Sequence, residues 1–167
     1  IGLEDYSWQF ANGLSTSDNH LTFANLLING NYTDFITKMI PAMHDKGYEV
    51  VYVCNRKANL NNFPLNLKKD FRVGSNCHTN DVHLISEMCE WVEKNNIKNH
   101  LFLFSAASLS NLLIYELYRR FPANTYMDIG STLNPALALD GWVHSRGYLR
   151  GYWMQQPDPY LVQQCEW

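Results

Sequence analysis

The spacing of apolar residues changes along the chain, and the changes mark out its elements. Residues 49–54 (EVVYVC) form a nearly continuous, β-branched apolar run, the pattern of a strand covered on both faces. Residues 101–104 (LFLF) form a second such run, between polar Asn99 and His100 and the small residues that follow. Residues 70–74 (DFRVG) and 125–129 (TYMDI) read as two further short strands, the second closed by Gly130. Elsewhere the period lengthens. Leu109, Leu112, Leu113, Leu117 and Phe121 recur at helical spacing over 109–120. Leu84, Ile85, Met88 and Val92, with Trp91 at the flank, predict a helix over 82–95, capped from the polar loop 75–81. Phe35, Ile36, Met39, Ile40 and Met43 predict a helix over 33–46, kinked or shortened by Pro41 and stopped by Gly47. Leu21, Ala24, Leu27 and Ile28 predict a short helix over 20–29, with Ser17 or Asp18 as its cap. Residues 58–67 and 136–139 hold a helical turn each. The segments 142–153 and 157–167 are without a clean period.

Strands therefore alternate with helices, which predicts an α/β fold: a Rossmann-like, mostly parallel sheet of at least four strands flanked by helices. The run from 101 to 129 is a strand–helix–strand unit, normally right-handed and parallel. Ligands of such sheets bind beyond the carboxyl ends of the strands. Three polar stretches fall there: Asn55-Arg56-Lys57, Ser105-Ala106-Ala107-Ser108, and residues 128–135 (DIGSTLNP).

At 167 residues the chain is one domain by size, long enough to bury a core. It opens abruptly on an apolar residue, as a chain entered partway through or cut at a chosen boundary would, so a single domain that can be part of a longer chain is expected. Its hydrophobic fraction of 46% and charged fraction of 17% match a soluble globular protein. A net charge of −3 without a basic stripe argues against a nucleic-acid partner, since phosphate backbones are bound by clustered Lys and Arg. No apolar run approaches transmembrane length. The four cysteines are irregularly spaced and form no C-x-x-C, so buried free thiols in a reducing, cytoplasmic setting are expected rather than a zinc site. Asn31-Tyr32-Thr33 matches a glycosylation acceptor but reads as a turn between helices.

The motifs that carry familiar chemistries are missing. There is no phosphate-binding G-x-x-x-x-G-K, no G-x-G-x-x-G after a strand, no G-x-S-x-G elbow and no H-E-x-x-H. What remains are strand-end loops of hydroxyl, amide and small residues. SAAS precedes a helix, so Ser105, Ser108 and Ser110 hydroxyls beside free backbone N–H groups make an anion site, or Ser108 only caps the helix. In DIGSTLNP, Asp128 sits near the end of an apolar strand, where a carboxylate must be paired or hydrogen-bonded. Gly130 permits a positive φ or close ligand approach, and Ser131, Thr132 and Asn134 follow as hydrogen-bonding groups. The alternative is a self-contained turn. Arg146 and Arg150 lie four apart in HSRGYLRGYW, suited to neutralise a leaving diphosphate or to a basic surface. His78 and His83 are read as packing or capping residues before catalytic ones.

FSAAS followed by TYMDIGSTLNP and a basic RGYLRGYW resembles the carboxyl-terminal half of the GT-D-fold glycosyltransferases, over about residues 21–148. The matching positions are Phe104, Ser105, Ala106, Asp128, Ile129, Gly130, Ser131, Asn134 and Pro135, and the DIGS stretch is the specific part. The resemblance implies transfer of a sugar from a nucleotide diphosphate donor, often UDP-linked, to a glycan or glycoprotein acceptor, usually with a divalent metal, Mn or Mg. Taken with the reading of the strand-end loops, it leads to expected donor contacts at Ser105, Ala106, Ser108, Gly130, Ser131, Thr132, Asn134, Asn55, Arg146 and Arg150, and to a carboxylate, Asp128, Glu4 or Asp5, as catalytic base or metal ligand. The family's D-x-E metal motif has no counterpart in this chain; Glu4 and Asp5 are the early acidic pair, and Asp5 and Asp18 are the candidate metal ligands. The missing motif favours the rival reading, a non-catalytic nucleotide- or glycan-binding domain or a fragment of a larger enzyme. A methyltransferase ranks lower, because its Gly-rich first loop is not visible.

Overall fold

A computed structural model describes residues 34–139. Four strands lie in this span: β1 (Glu49–Asn55), β2 (Asn66–Val73), β3 (Leu101–Phe104) and β4 (Thr125–Asp128). They form one sheet in the order β2-β1-β3-β4, and every neighbouring pair is parallel. The helices are α1 (Ile40–Asp45), α2 (Cys77–Asn80), α3 (Leu84–Lys94) and α4 (Ser108–Arg120), with a π-helical turn at Phe35–Met39 and 3-10 turns at Leu60–Asn62 and Pro135–Leu137. The expected α/β architecture is thus the one observed, and the βαβ unit β3-α4-β4 falls within a residue of its predicted limits.

The central strand explains the two-layer arrangement. Val50 to Cys54 are all fully buried, because β1 is paired on both edges and covered on both faces. Alternation sends Val51 and Val53 to one face, where they meet Phe102, Phe104, Met88, Val92 and the Leu109-Leu113-Leu117 stripe of α4. Val50, Tyr52 and Cys54 point to the other face, with Leu101, Leu103, Phe35, Ile40, Ile129, Leu133 and Leu137. Each apolar side chain of this size contributes about 1.5–3 kcal/mol on burial. That is enough to hold a strand as short as LFLF, whose four side chains are all buried. β2 is an edge strand, polar on its open side at Lys68 and Lys69, with a register shift opposite Val50 and Val51.

Several local expectations shift. β2 begins at Asn66, four residues before the predicted start, because the polar half of an edge strand carries no apolar signal. The helix ahead of β1 changes period at Pro41. A proline cannot donate the usual i→i−4 bond, and the preceding turn opens so that Ile40 N–H reaches Phe35 O, five residues back. The wider turn rotates Met39, expected inward, to 37% exposure. Leu112, counted in the helical period of α4, is 49% exposed because the sheet contacts the i, i+4 stripe of α4 and Leu112 lies at its flank. Loop 75–81 contains the short α2 and supplies no side-chain cap to α3. Gly47 stops α1 as predicted, in the left-handed region at a φ of 66°. Cys54, Cys77 and Cys89 are buried free thiols. Among the described residues no helix is long and apolar enough to cross a membrane. The predictions made for residues 20–29, 31–33, 142–153 and 157–167 lie outside the described residues.

Candidate functional site

The chain leaves β1 for β2 on one side and returns past β1 to β3 and β4 on the other. The order of the sheet therefore reverses between β1 and β3, and a crevice opens at their carboxyl ends. A cleft of about 510 Å³ lies there. One wall comes from the ends of β1 and β2: Asn55, Arg56, Lys57, Gly74 and Ser75. The opposite wall comes from the ends of β3 and β4: Ser105, Ala107, Gly130, Ser131 and Asn134. Tyr52 and Cys54 also line it, with Ala138 and Leu139 following the 3-10 turn.

The two β1 groups carry no charge at neutral pH. Tyr52 is fully buried, its ring stacks on Phe63 with centroids 5.1 Å apart, and its hydroxyl lies 2.9 Å from Ser105 Oγ. Burial pushes the Tyr52 phenol well above its ordinary value, and pushes the Cys54 thiol up to about 11. Cys54 is thus a thiol rather than a thiolate nucleophile.

Charge enters from the β1/β2 wall. Arg56 N–H donates to Val73 O (2.8 Å), which extends the pairing of β1 and β2 one residue past the strands. The Arg72 guanidinium donates to Ala58 O (2.7 Å) and Asn55 O (3.3 Å) and pairs with Asp70, so it braces both ends of the loop that carries Arg56 and Lys57. Asn55 Oδ1 accepts Lys57 N–H at 2.9 Å and tightens the same turn. The Arg56 guanidinium lies against Gly74, 3.8 Å from Asp81 Oδ1.

The β3/β4 wall is uncharged at the cleft. Ser105 N–H donates to Val53 O at 2.8 Å, tying the turn to β1. Ala106 is buried within the turn: its N–H donates to Ser110 Oγ (3.1 Å) and its carbonyl accepts from Cys77 Sγ (3.2 Å). Ala107 has a φ of 47° and a ψ of -136°, a strained pair for a residue with a side chain. It enters α4 without a side-chain cap, so Ser108 is the first helical residue and not the cap. Asp128 Oδ1 accepts Gly130 N–H at 2.9 Å, and Gly130 has a φ of 51°. Desolvation raises the Asp128 carboxyl above its ordinary pKa, opposed by the Gly130 N–H and the Ser110 hydroxyl. Thr132 is buried and its hydroxyl donates to Ile129 O.

Of the donor contacts expected from sequence, Asn55, Ser105, Gly130, Ser131 and Asn134 line the cleft. Ala106 and Thr132 are buried in the turns that shape it, and neither they, Ser108 nor Asp128 line it. Glu4, Asp5, Asp18, Arg146 and Arg150 lie outside the described residues. His78 and His83 are exposed, and His83 precedes α3 without a side-chain cap bond. Among the described residues no group of three or more His, Cys, Asp and Glu side chains is placed to hold a metal. Sequence reasoning placed Arg56 and Lys57 in a strand-end loop without giving them a role, and it did not assign Gly74, Ser75, Tyr52 or Cys54 to the cleft. Arg56 and Lys57 could have been weighted from their place directly after the central strand; their meeting with Gly74 depends on the pairing of β1 with β2.

The described residues thus define a parallel α/β sheet with a polar, cation-bearing cleft at its switch point. No family model, curated protein or solved structure matches the chain.

Proposed function

We propose that this chain is a glycosyltransferase domain of GT-D type, cytoplasmic, which takes a nucleotide diphosphate sugar, UDP-linked, in the switch-point cleft and passes the sugar to a glycan acceptor. The observation that carries the reading is the pairing of walls: Arg56 and Lys57 on one side, and Ser105, Ser131 and Asn134 on the other. A diphosphate needs cations and hydrogen-bond donors together, while a sugar needs hydroxyl and amide partners without fixed charge. The DIGS resemblance adds the family expectation. In the transfer, the bond between the sugar's anomeric carbon and the diphosphate oxygen breaks, the acceptor hydroxyl oxygen forms the new bond, and its proton passes to a carboxylate. Arg56 and Lys57 offset the negative charge that grows on the departing diphosphate.

A second reading, a non-catalytic nucleotide- or glycan-binding domain, is favoured by one observation. Among the described residues lining the cleft there is no carboxylate, and Asp128 is engaged with Gly130 N–H. In the catalytic reading the base is Asp128, Glu4 or Asp5. The metal ligands proposed for any Mn or Mg are Asp5 and Asp18, as the sequence suggested. The test is titration of the full chain with UDP and UDP-sugars, with and without manganese, followed by assay of donor turnover. Binding with turnover is expected; nucleotide binding without turnover supports the second reading, and no binding of any nucleotide diphosphate overturns the glycosyltransferase reading and the nucleotide-binding form of the second.

A further inference from the structure

The presence of glycine at position 74 has no backbone explanation. Its φ lies outside the left-handed range, unlike those of Gly47 and Gly130, so a residue with a side chain adopts the same conformation without strain. What a side chain would meet is the Arg56 guanidinium. A Cβ on Gly74 would lie 2.3 Å from Arg56 Nη2, 2.7 Å from Cζ and 2.9 Å from Nε. The guanidinium thus occupies the volume that glycine leaves open. Asp81 completes the seat. Its side chain is only 9% exposed; one oxygen accepts Gly74 N–H at 2.8 Å and the other lies 3.8 Å from Arg56 Nη2. Gly74 N–H is its hydrogen-bond partner, while the pair with the largely exposed Arg56 is screened by solvent and adds little to stability. At 3.8 Å the carboxylate orients the guanidinium by charge, beyond hydrogen-bond distance, and leaves the N–H fork for a ligand. The Arg56 side chain is 63% exposed and lines the cleft with Lys57 and Ser75.

We propose that Arg56 is the phosphate-binding cation of the cleft and that Gly74 and Asp81 are positioning residues that hold its guanidinium in place. The ligand is a diphosphate group, gripped by the planar fork. This inference rests on the proposed sugar-nucleotide reading for the identity of the natural ligand, but its chemistry requires only the diphosphate.

The experiment is calorimetric titration of the full chain with inorganic pyrophosphate and, separately, with UDP. It uses wild type, Arg56→Gln, Gly74→Ala and the double variant, with a thermal melt of each. Gly74→Ala displaces only the far end of a flexible side chain, so its melting temperature is expected to match wild type. Pyrophosphate affinity is expected to fall roughly tenfold in each single variant, the scale of one charge-assisted contact. The double variant is expected to bind no more weakly than Arg56→Gln alone, because Gly74 acts only through Arg56. The inference is overturned if Gly74→Ala binds pyrophosphate as wild type does, if the two penalties add, or if wild type does not bind pyrophosphate. It is also overturned if Arg56→Gln lowers the melting temperature and leaves affinity unchanged, which would make Arg56 a counter-ion for Asp81. If the pyrophosphate pattern holds while UDP and UDP-sugars fail to bind, the seat stands and the glycosyltransferase reading falls. If UDP binds and Gly74→Ala has no effect on it or on pyrophosphate, the reverse is true.

Discussion

The two walls of the cleft are built from the same kind of joint, the turn after a parallel strand, yet they work differently. The turns after β3 and β4 direct most of their polar groups at themselves. Asp128 accepts Gly130 N–H, Thr132 bonds Ile129 O, Ser110 accepts Ala106 N–H, and Ser105 pairs with Tyr52. The turns after β1 and β2 use theirs to present a cation: Arg72 braces the loop backbone, Asp81 holds Gly74, and Arg56 projects into the cleft. A loop rich in hydroxyls and carboxylates can therefore be a shape-holding wall, while a plainer one carries the charge. A diphosphate ligand needs both, one wall for fit and one for charge.

This contrast yields graded expectations. Arg56→Gln should weaken nucleotide diphosphate binding roughly tenfold, the ~1.5 kcal/mol of one hydrogen bond to a charged group, with little change in stability. A loss of stability as large as the loss of affinity would erase the distinction between the walls. On the opposite wall the order is reversed. Ser105→Ala removes the partner of the Tyr52 hydroxyl and should cost about 1–3 kcal/mol of stability in chemical denaturation. Adding Tyr52→Phe should restore most of it, since no buried hydroxyl is then left without a partner.

Gly130 has a φ of 51°, so Gly130→Ala forces a side chain into the left-handed region. That substitution should cost about 1–2 kcal/mol of stability. Gly47→Ala, at a φ of 66° in open space after α1, should cost a similar amount. Only the Gly130 variant should also weaken ligand binding; equal effects on binding would show that the β4 turn does not shape the cleft. The smallest effect concerns Asp128. Its pKa is raised in the folded protein, so the native state holds this proton more tightly than the unfolded chain does. The contribution is complete below the ordinary carboxylate pKa and is lost as pH rises through the raised value. Asp128→Asn keeps an acceptor for Gly130 N–H and should remove that decline. Thermal melts of both proteins from about pH 3 to about pH 7, spanning the carboxylate range, should show the difference, and parallel curves would show that the group is solvated like any surface acid.

The same contrast explains what was legible in the sequence. The buried runs EVVYVC and LFLF announced themselves because both faces of those strands are apolar, and α4 because its Leu109-Leu113-Leu117 stripe meets the sheet. The β3 and β4 turns were visible as motifs because shape-holding turns need particular residues at fixed offsets, Asp128 two before Gly130 among them. The polar half of β2 was invisible because its open edge demands no pattern. The seat of Arg56 was invisible for a stronger reason. Arg56, Gly74 and Asp81 meet only because β1 and β2 pair in parallel with Asn55 opposite Val73, and no local spacing records that register.

The central claim, that a diphosphate ligand lies between these two walls, is tested most directly by nuclear magnetic resonance titration of the isotope-labelled full chain with UDP. The account predicts that the amide signals of Asn55, Arg56, Lys57, Gly74 and Ser75 and those of Ser105, Gly130, Ser131 and Asn134 move together along one saturating curve. Shifts confined to one wall, or gathered at the opposite ends of the strands around Glu49, His100 and Thr125, would contradict it.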